Sequence, residues 1–468
     1  MNLYNTLSDK IELLEPVNPP EVTFYSCGPT VYDYTHIGHV RSYVNNDSLK
    51  RALLYLGYSV NHVMNITDVG HLTGDDDSGE DKLEKGAKRI GKTVWEVAIF
   101  YTDFFMKTIK AFNIMLPNSI IKATDHIKEM IKLIRQLEEG GFIYQTEEAV
   151  YFDTSKFKNY GKLSGQKLEE KKQKVRQDVQ LDPKKRNPVD FVVWFKKVGR
   201  FADHQMHWPS PWGEGFPGWH IECSAISMNY LGETIDIHSG GVDHIPVHHE
   251  NEIAQSEGAT GKPFVRFWFH NEFLLVDSQK MSKSLNNFYT IADLEREKID
   301  PLALRLLFLQ THYRQQMNFT WESAQAAKEA YNKLKEQALS LRNQTQRTEL
   351  PQEKLGQIDD LRGRFRQALE NDLQMPQAVA VMWEMLKSSI LSIDKLDLLF
   401  EFDKVLGLNL STVEEEKIPE EIQQLAEERE RARQENNFAK ADELRKIIEQ
   451  RGYSIKDMDQ GYKIKQKP

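Results

Sequence analysis

The chain has 468 residues, 40% hydrophobic and 28% charged, with a formal net charge of −9 and two cysteines. That length exceeds one hydrophobic core and predicts roughly three or four domains, while the acidic balance argues against indiscriminate nucleic-acid binding, which needs a broadly basic surface. No apolar run approaches the ~20 residues of a membrane span, no secretory signal is visible at the start, and Cys27 and Cys223 are too few and too distant for a disulfide framework, so the expected setting is cytoplasmic.

In chain order, residues 22–26 are apolar and β-branched, as in a buried strand, and 40–56 carry apolar residues at helical spacing before Gly57. Between them lies Cys27-Gly28-Pro29-Thr30, then His36-Ile37-Gly38-His39. A thiol and two imidazoles thus sit at a strand-to-helix crossing, where an open parallel sheet binds ligands and a helix N-terminus favours phosphate. Gly38 permits close approach of a planar ligand. Taken alone, the His-x-Gly-His tetrapeptide reads equally as a structural pair.

A second strand at 59–66 ends in Thr67-Asp68, and the acidic run 74–81 reads as a surface loop without the spacing of a calcium loop. Helices are expected at 93–112 and 125–139. Residues 142–205 read as an insertion between two halves of one sheet domain, with strands at 149–153 and 190–195. Its lysines and arginines between 156 and 200 form either a phosphate-contacting surface or a solvated charged face.

The second half returns to site chemistry. Gly218-Trp219-His220-Ile221-Glu222-Cys223 heads a helix, and a strand at 234–238 leads into Ser239-Gly240-Gly241-Val242-Asp243. His248 and Glu252 are spaced i, i+4 on a further helix. Residues 266–276 read as strand, followed by Lys280-Met281-Ser282-Lys283-Ser284. Helices are expected at 300–311, 321–343, 353–371, 375–397 and 418–450, then short strands.

Cys27, Cys223, His248 and Glu252 together have the ligands of a tetrahedral zinc site; the alternatives are inert buried cysteines and a helix-face His–Glu contact. The carboxylate is the weakest zinc ligand of the four, so it would yield to a substrate thiolate, separating a thiol from the near-isosteric hydroxyl of serine. A zinc-protease reading of His249-Glu250 fails because position 253 is Ile253.

Taken in order, these segments resemble the cysteinyl-tRNA synthetases, class I aminoacyl-tRNA synthetases, nearly end to end. The matching stretches are 3–6, 27–33, 36–39, 218–224, 248–256, 280–284, 312–314 and 439–445. The resemblance implies a Rossmann-like α/β catalytic domain in two halves (1–141 and 206–275) around a connective peptide (142–205). A KMSKS loop and stem-contact segment (276–310), a helical bundle (311–410) and a small anticodon-binding domain (411–468) would follow.

It also implies one Zn2+ at Cys27, Cys223, His248 and Glu252, and Mg2+ entering with ATP. His36 and His39 would contact the triphosphate, and Lys280 and Lys283 would neutralise it. Gly28, Thr30, Gly38, Thr67, Trp219, His238, Gly240, Asp243, Met281 and Ser282 would line the ATP and amino-acid pockets.

Expected partners are tRNA(Cys), ATP and L-cysteine, with no membrane and a monomeric chain. Two departures stand out: the acidic loop 73–81 is longer than the family's, and Phe438 and Ile464 replace expected tryptophans. Two rivals are an ATP-dependent ligase joining cysteine to an amino sugar and a non-catalytic zinc and RNA-binding module. The first has no use for the chain beyond 310; the second would have lost His36, His39, Lys280 and Lys283.

Overall fold

The computed structural model describes residues 1–468 except 71, 73–79, 166–183, 283–284, 343–351, 416–417, 458–460 and 467–468. Two compact units result, Met1–Ser411 and Thr412–Pro468.

Five parallel strands form the main sheet: β1 (Glu21–Ser26), β2 (Ser59–Ile66), β3 (Ser119–Lys122), β4 (Ile235–Gly241) and β5 (Val265–Asn271). Their spatial order is β5-β4-β1-β2-β3, so the order reverses between β1 and β4. That reversal opens a crevice at the carboxyl ends of those two strands, where Cys27 and Ser239–Gly240 lie.

Helix α1 (Ile37–Tyr55) follows β1, α2 (Lys82–Ile90) and α3 (Val94–Ala111) follow β2, and α4 (Ile127–Glu139) follows β3. Helices α5 (Trp219–Leu231) and α6 (His248–Thr260) flank β4. Thr93 and Glu96 form a capping box at the start of α3.

The α1 helix is covered on nearly all sides, so even Arg41, Asp47 and Lys50 are buried. Each is therefore satisfied inside the protein. The Arg41 guanidinium donates to the carbonyls of Glu272, Phe273, His312 and Gln315 at 2.6–3.1 Å. Burial, opposed by Glu272, brings its pKa down to about 10, still charged at pH 7. Asp47 accepts from buried Arg305 at 2.5 Å and from Arg51 at 2.7 Å.

One difference from expectation lies at those carbonyls. The apolar run 266–276 is two strands, β5 and Leu274–Val276: at Glu272 and Phe273 the chain leaves the main sheet and bonds instead to Arg41, Tyr313 and Met317. Leu274–Val276 instead pairs with Gln279–Lys280 and Met317–Phe319.

Within the segment that interrupts the main sheet, four antiparallel strands form their own sheet: Ile143–Gln145, Ala149–Phe152, Phe191–Lys196 and Gly215–Pro217. Its buried face is aromatic, with Phe195 stacked on Phe216 at 4.8 Å.

Beyond residue 300 the unit is helical. The expected helix 375–397 is two, Met375–Lys387 and Ser392–Leu406. Ser388 leaves the helix in an extended conformation, and its hydroxyl and the Lys395 ammonium take the last carbonyls, of Met385 and Leu386. The expected helix 418–450 is also two, Glu420–Gln434 and Phe438–Gln450. Asn436 takes a left-handed φ of 57°, and the Asn437 side chain caps the second helix by accepting from Lys440 N–H.

The second unit closes with the hairpin Tyr453–Asp457/Tyr462–Gln466. Its small core contains Ile422, Ala426, Ile448 and Ile455, with Ile464 packed against it.

Candidate metal centre and nucleotide cleft

A cleft of roughly 310 Å³ opens at the crevice between β1 and β4, lined by Cys27, Thr30, His36, His39, Thr67, Trp219, Gly240 and Asp243 among others. Backbone at its floor is packed to contact. The Gly28 N–H donates to Asn65 Oδ1 at 2.8 Å, and a Cβ at Gly28 would lie 1.6 Å from the Asn65 carbonyl oxygen. Only glycine fits. Gly240 is similarly confined, with His249 and His244 atoms at 2.5 and 2.7 Å from such a Cβ.

Opposite, Thr30 bridges Thr67, and the Thr67 hydroxyl accepts from Asn65 Nδ2 and donates to Glu222 Oε2. Burial holds the Glu222 carboxyl well above its ordinary value.

At the deep end, one ligand atom each from Cys27, Cys223, His248 and Glu252 lie within 4.8 Å of one another. Three elements supply them: the turn after β1, helix α5, and the first two turns of α6. A second grouping replaces Cys223 and His248 by His238 and His249. The first is better prepared for an ion. His238 Nε2 is already bound to Glu252 Oε2 at 2.9 Å, and His249 Nδ1 to His270 at 2.7 Å.

In the first set, His220 holds His248 Nδ1 at 2.9 Å, leaving His248 Nε2 3.0 Å from Glu252 Oε1. That buried oxygen has this ion pair but no well-aligned hydrogen bond, and a cation between the two side chains would take the place of the imidazole proton.

The electrostatics agree. Burial alone would raise the Cys27 thiol, but contacts with Cys223, His244, His248 and His249 bring it well below its ordinary value. Sharing that hydrogen bond, together with burial, pushes Cys223 well up. Burial would lower His248, yet Glu252 and Cys27 push it up to about 10. Cys27 thus carries the anion of the pair, and binding an ion here would release the protons that Cys223 and His248 otherwise hold.

At the shallow end, His36 is the N-cap of α1 and its Nδ1 accepts from the His39 N–H at 3.2 Å. The two rings stack at 3.6 Å. His39 is exposed to cleft water, but the crowded walls disfavour its charged form and bring it down to about 4, so it is a neutral hydrogen-bonding group at pH 7. Of the first N–H groups of α1, that of Ile37 donates to the Tyr289 carbonyl and that of His39 to His36, so it is the two rings that face the cleft.

A family model described as tRNA synthetases class I (C) catalytic domain matches residues 13–329. One described as cysteinyl-tRNA ligase anticodon binding domain matches 415–463. The cysteine–tRNA ligase of Treponema denticola is 43% identical over 486 aligned residues, covering 98% of both chains. Cysteine–tRNA ligase 1 of Burkholderia lata is 42% identical, covering 99% of this chain and 96% of that one.

The chain belongs to the cysteine–tRNA ligases.

Like others of its class, this ligase is similar in fold to two solved structures. Mycobacterium tuberculosis methionyl-tRNA synthetase in complex with methionyl-adenylate aligns with a TM-score of 0.57 at 16% identity over 83% of this chain and 90% of that chain. Agrobacterium radiobacter LeuRS in a ternary complex with tRNA and LeuAMS gives 0.60 at 11% identity over 86% and 85%. Full-length relatives and the anticodon-domain match leave the amino-sugar ligase reading without support.

Within the ligase, the expected residues fall in three places. Gly28, Thr30, Thr67, Trp219, Gly240, Asp243, His36 and His39 line the cleft with three of the four donors. Glu252 lies beneath it, and His238 is fully buried behind it, against Glu252 and stacked on Trp268 at 4.6 Å. Lys280, Met281 and Ser282 stand at the rim. A Cβ on Gly38 would lie 3.6 Å from Met281 Cε, Lys280 Nζ is 5.5 Å over the Phe273 ring, and Ser282 N–H donates to Asn287. Lys283 lies outside the described residues, as do 73–79 of the acidic loop.

Cleft residues that sequence reasoning missed include Tyr32, Tyr34, Asn65, Lys82, His244 and Phe288. Only Asn65, a polar residue near a strand's carboxyl end, carried a usable signal.

Proposed function

We propose that this ligase activates L-cysteine with ATP at the cleft, giving cysteinyl-adenylate and pyrophosphate, and then transfers cysteine to the 3′ end of tRNA(Cys). The convergence of two thiols, an imidazole and a carboxylate within 4.8 Å at the deep end of the cleft is the observation that carries this reading. The donor mix suits Zn2+. When bound, the ion supplies a Lewis-acid position that prefers a substrate thiolate over a serine hydroxyl. Cys27, Cys223, His248 and Glu252 would hold it, with His220 orienting His248 and His238 orienting Glu252.

The chain's own groups do the rest. Trp219, packed on His248 at 4.1 Å, closes the amino-acid pocket from the side. Gly28, Thr30, Thr67 and Gly240 line the space where the cysteine carboxylate meets the α-phosphate. Gly38 lets the nucleotide approach the backbone, and Asp243 offers an acceptor to ribose.

As the α-phosphate is attacked, charge grows on the departing pyrophosphate oxygens. His36 and His39 stabilise it from one side; Lys280 and Lys283, on a segment with Met281 and Ser282, do so from the other, with Mg2+ carried in by ATP. Positioning and electrostatics account for the acceleration, as in other phosphoryl transfers.

The domain division follows the same reading. Residues 1–141 and 206–275 are the two catalytic halves and 142–205 the connective insertion, whose sheet borrows Gly215–Pro217 from beyond that bound. Residues 276–310 form the stem-contact segment, 311–410 the bundle and 411–468 the anticodon-binding domain. No described helix is long and apolar enough to cross a membrane, and we propose a cytoplasmic monomer.

The test is ATP–pyrophosphate exchange on purified protein, with cysteine against serine, paired with metal analysis of the same sample. Exchange with cysteine alone, one zinc per chain, and acylation of tRNA are expected. Exchange that is indifferent to the thiol, or that persists after metal removal, would sink the selective role of the donor set.

A further inference from the structure

Beside the cleft mouth, helices α2 and α3 present a surface that the core does not require. The α3 helix buries Val94, Val97, Ala98, Tyr101, Phe105 and Ile109, while Trp95, Ile99 and Phe100 on its other faces are 47%, 56% and 39% exposed. Tyr34, from the turn before α1, is also 39% exposed. Its ring meets Phe100 at 6.1 Å and Phe104 at 4.8 Å, both edge-on. Arg89 fixes this cluster from below, pairing with Asp33 and donating to the Tyr101 hydroxyl at 2.9 Å.

Cations interleave with the rings. In a chain with a net charge of −9, residues 82–92 carry Lys82, Lys85, Lys88, Arg89 and Lys92 against the single acid Glu84. Lys92 Nζ lies 5.2 Å over Phe100. Lys82 Nζ lies 5.5 Å over Tyr32 and 5.9 Å over Trp219 at the cleft wall. Of the nearby acids, Asp33 is engaged by Arg89 and Glu96 by Thr93; Asp103 is exposed.

We propose that this α2–α3 face is the landing surface for the single-stranded 3′ end of the tRNA. Phe100, Phe104 and Tyr34 offer ring faces and edges to bases, and Lys82, Lys88 and Lys92 contact phosphates. The inference rests on the acyl transfer proposed above: the accepting ribose must reach an adenylate inside the cleft, and Tyr34 and Lys82 belong both to the cleft lining and to this face. Single strands are held by this combination of stacking platforms and cations. A protein partner fits less well, because lysine is depleted at the centre of protein–protein interfaces, whereas here Lys92 sits directly on an exposed ring.

The test uses full-length Phe100→Ala and Lys92→Glu, neither of which lines the cleft, with Phe100→Trp as the conservative variant. Exchange without tRNA, single-turnover transfer from preformed adenylate, and competition by tRNA with and without its last four nucleotides are measured. Exchange is expected within about twofold of wild type, and transfer about tenfold slower in Phe100→Ala and Lys92→Glu. Phe100→Trp keeps transfer, and the advantage of intact over trimmed competitor shrinks.

Unchanged transfer would overturn the proposal, as would equal weakening of intact and trimmed competitors. Unchanged transfer with a loss of self-association in sedimentation would assign the face to a protein contact instead. Absence of cysteine-dependent exchange in the wild type removes the activity reading itself; a negative variant result with exchange intact removes this inference alone.

Discussion

At the floor of the cleft, Cys223, His248 and Glu252 are at most 1% exposed, and each imidazole has its second nitrogen held by a neighbour or its ring packed on another. At the rim, His39 is exposed and Lys280 reaches over Phe273 with no carboxylate beside it among the ion pairs of the described residues. On the proposed activity, the contrast follows from what each end would recognise. Choosing a thiol over a hydroxyl needs donors fixed in a dry space, where an imperfect ligand leaves buried groups unpaired. A triphosphate arrives and leaves as pyrophosphate each cycle, so its cations must stay accessible.

Substitutions at the two ends should therefore fail in different ways. Cys223→Ser is expected to abolish stoichiometric metal and lower cysteine-dependent exchange about a thousandfold or more, while retained zinc with full exchange would contradict the floor as drawn. Arg41→Met attacks the join between the ends, because α1 carries His39 and Arg41 clamps the strand leading to Lys280. Removing the buried guanidinium that ties together the carbonyls of Glu272, Phe273, His312 and Gln315 should cost about 2 to 3 kcal/mol, read as a lower denaturation midpoint. Lys280→Ala should lower the kcat of exchange about a hundredfold with metal content and denaturation midpoint unchanged. A parallel loss of stability would blur the contrast.

The next effect is one of pH. His62, buried on Phe24 and bonded to Ser26 at 2.8 Å, is held well below its ordinary value by burial, with Lys50 adding to it. Its folded form stays neutral where the unfolded chain takes up a proton, so the unfolded state gains below pH 6.5. Stability should fall as pH drops from 6.5, and a His62→Gln variant should show a shallower fall in urea titrations. The smallest change is expected from Phe438→Ala. Its ring is 60% exposed, and transfer to tRNA should weaken about fivefold while exchange is untouched.

Legibility in the sequence followed the same division. Strands at 22–26 and 59–66, the crossing at Cys27–His39 and the His248–Glu252 spacing could be read because each is a local pattern. The resemblance rested on two of these, the crossing and the stretch around His248, and on further short stretches between 3 and 445. What was lost was long-range. His238 seemed a cleft residue until β4 carried its ring behind Glu252. The break in 266–276 is met by Arg41, more than 200 positions earlier, and by Tyr313 and Met317, partners that no window reveals. Helix α2 escaped notice because its few apolar residues, Leu83, Ala87 and Ile90, sit among lysines directly after an acidic run. The Ser388 and Asn436 breaks turned on single capping side chains inside otherwise helical stretches.

Helix α1 has 19 residues, roughly 28 Å from end to end at 1.5 Å per residue. One end presents His36 and His39 to the cleft; further along, Asp47 is gripped by Arg305, and Arg51 donates to the Lys404 carbonyl. The rod is thus a lever whose grip lies among helices that never touch substrate. Asp47 lies about 12 to 17 Å along the rod from His39 and His36, so a tilt of about 4° about it moves the histidines by about 1 Å, a displacement large enough to cost a well-aligned reaction about a hundredfold. Packing around Asp47 therefore sets the alignment tolerance of chemistry done three turns away on the same helix.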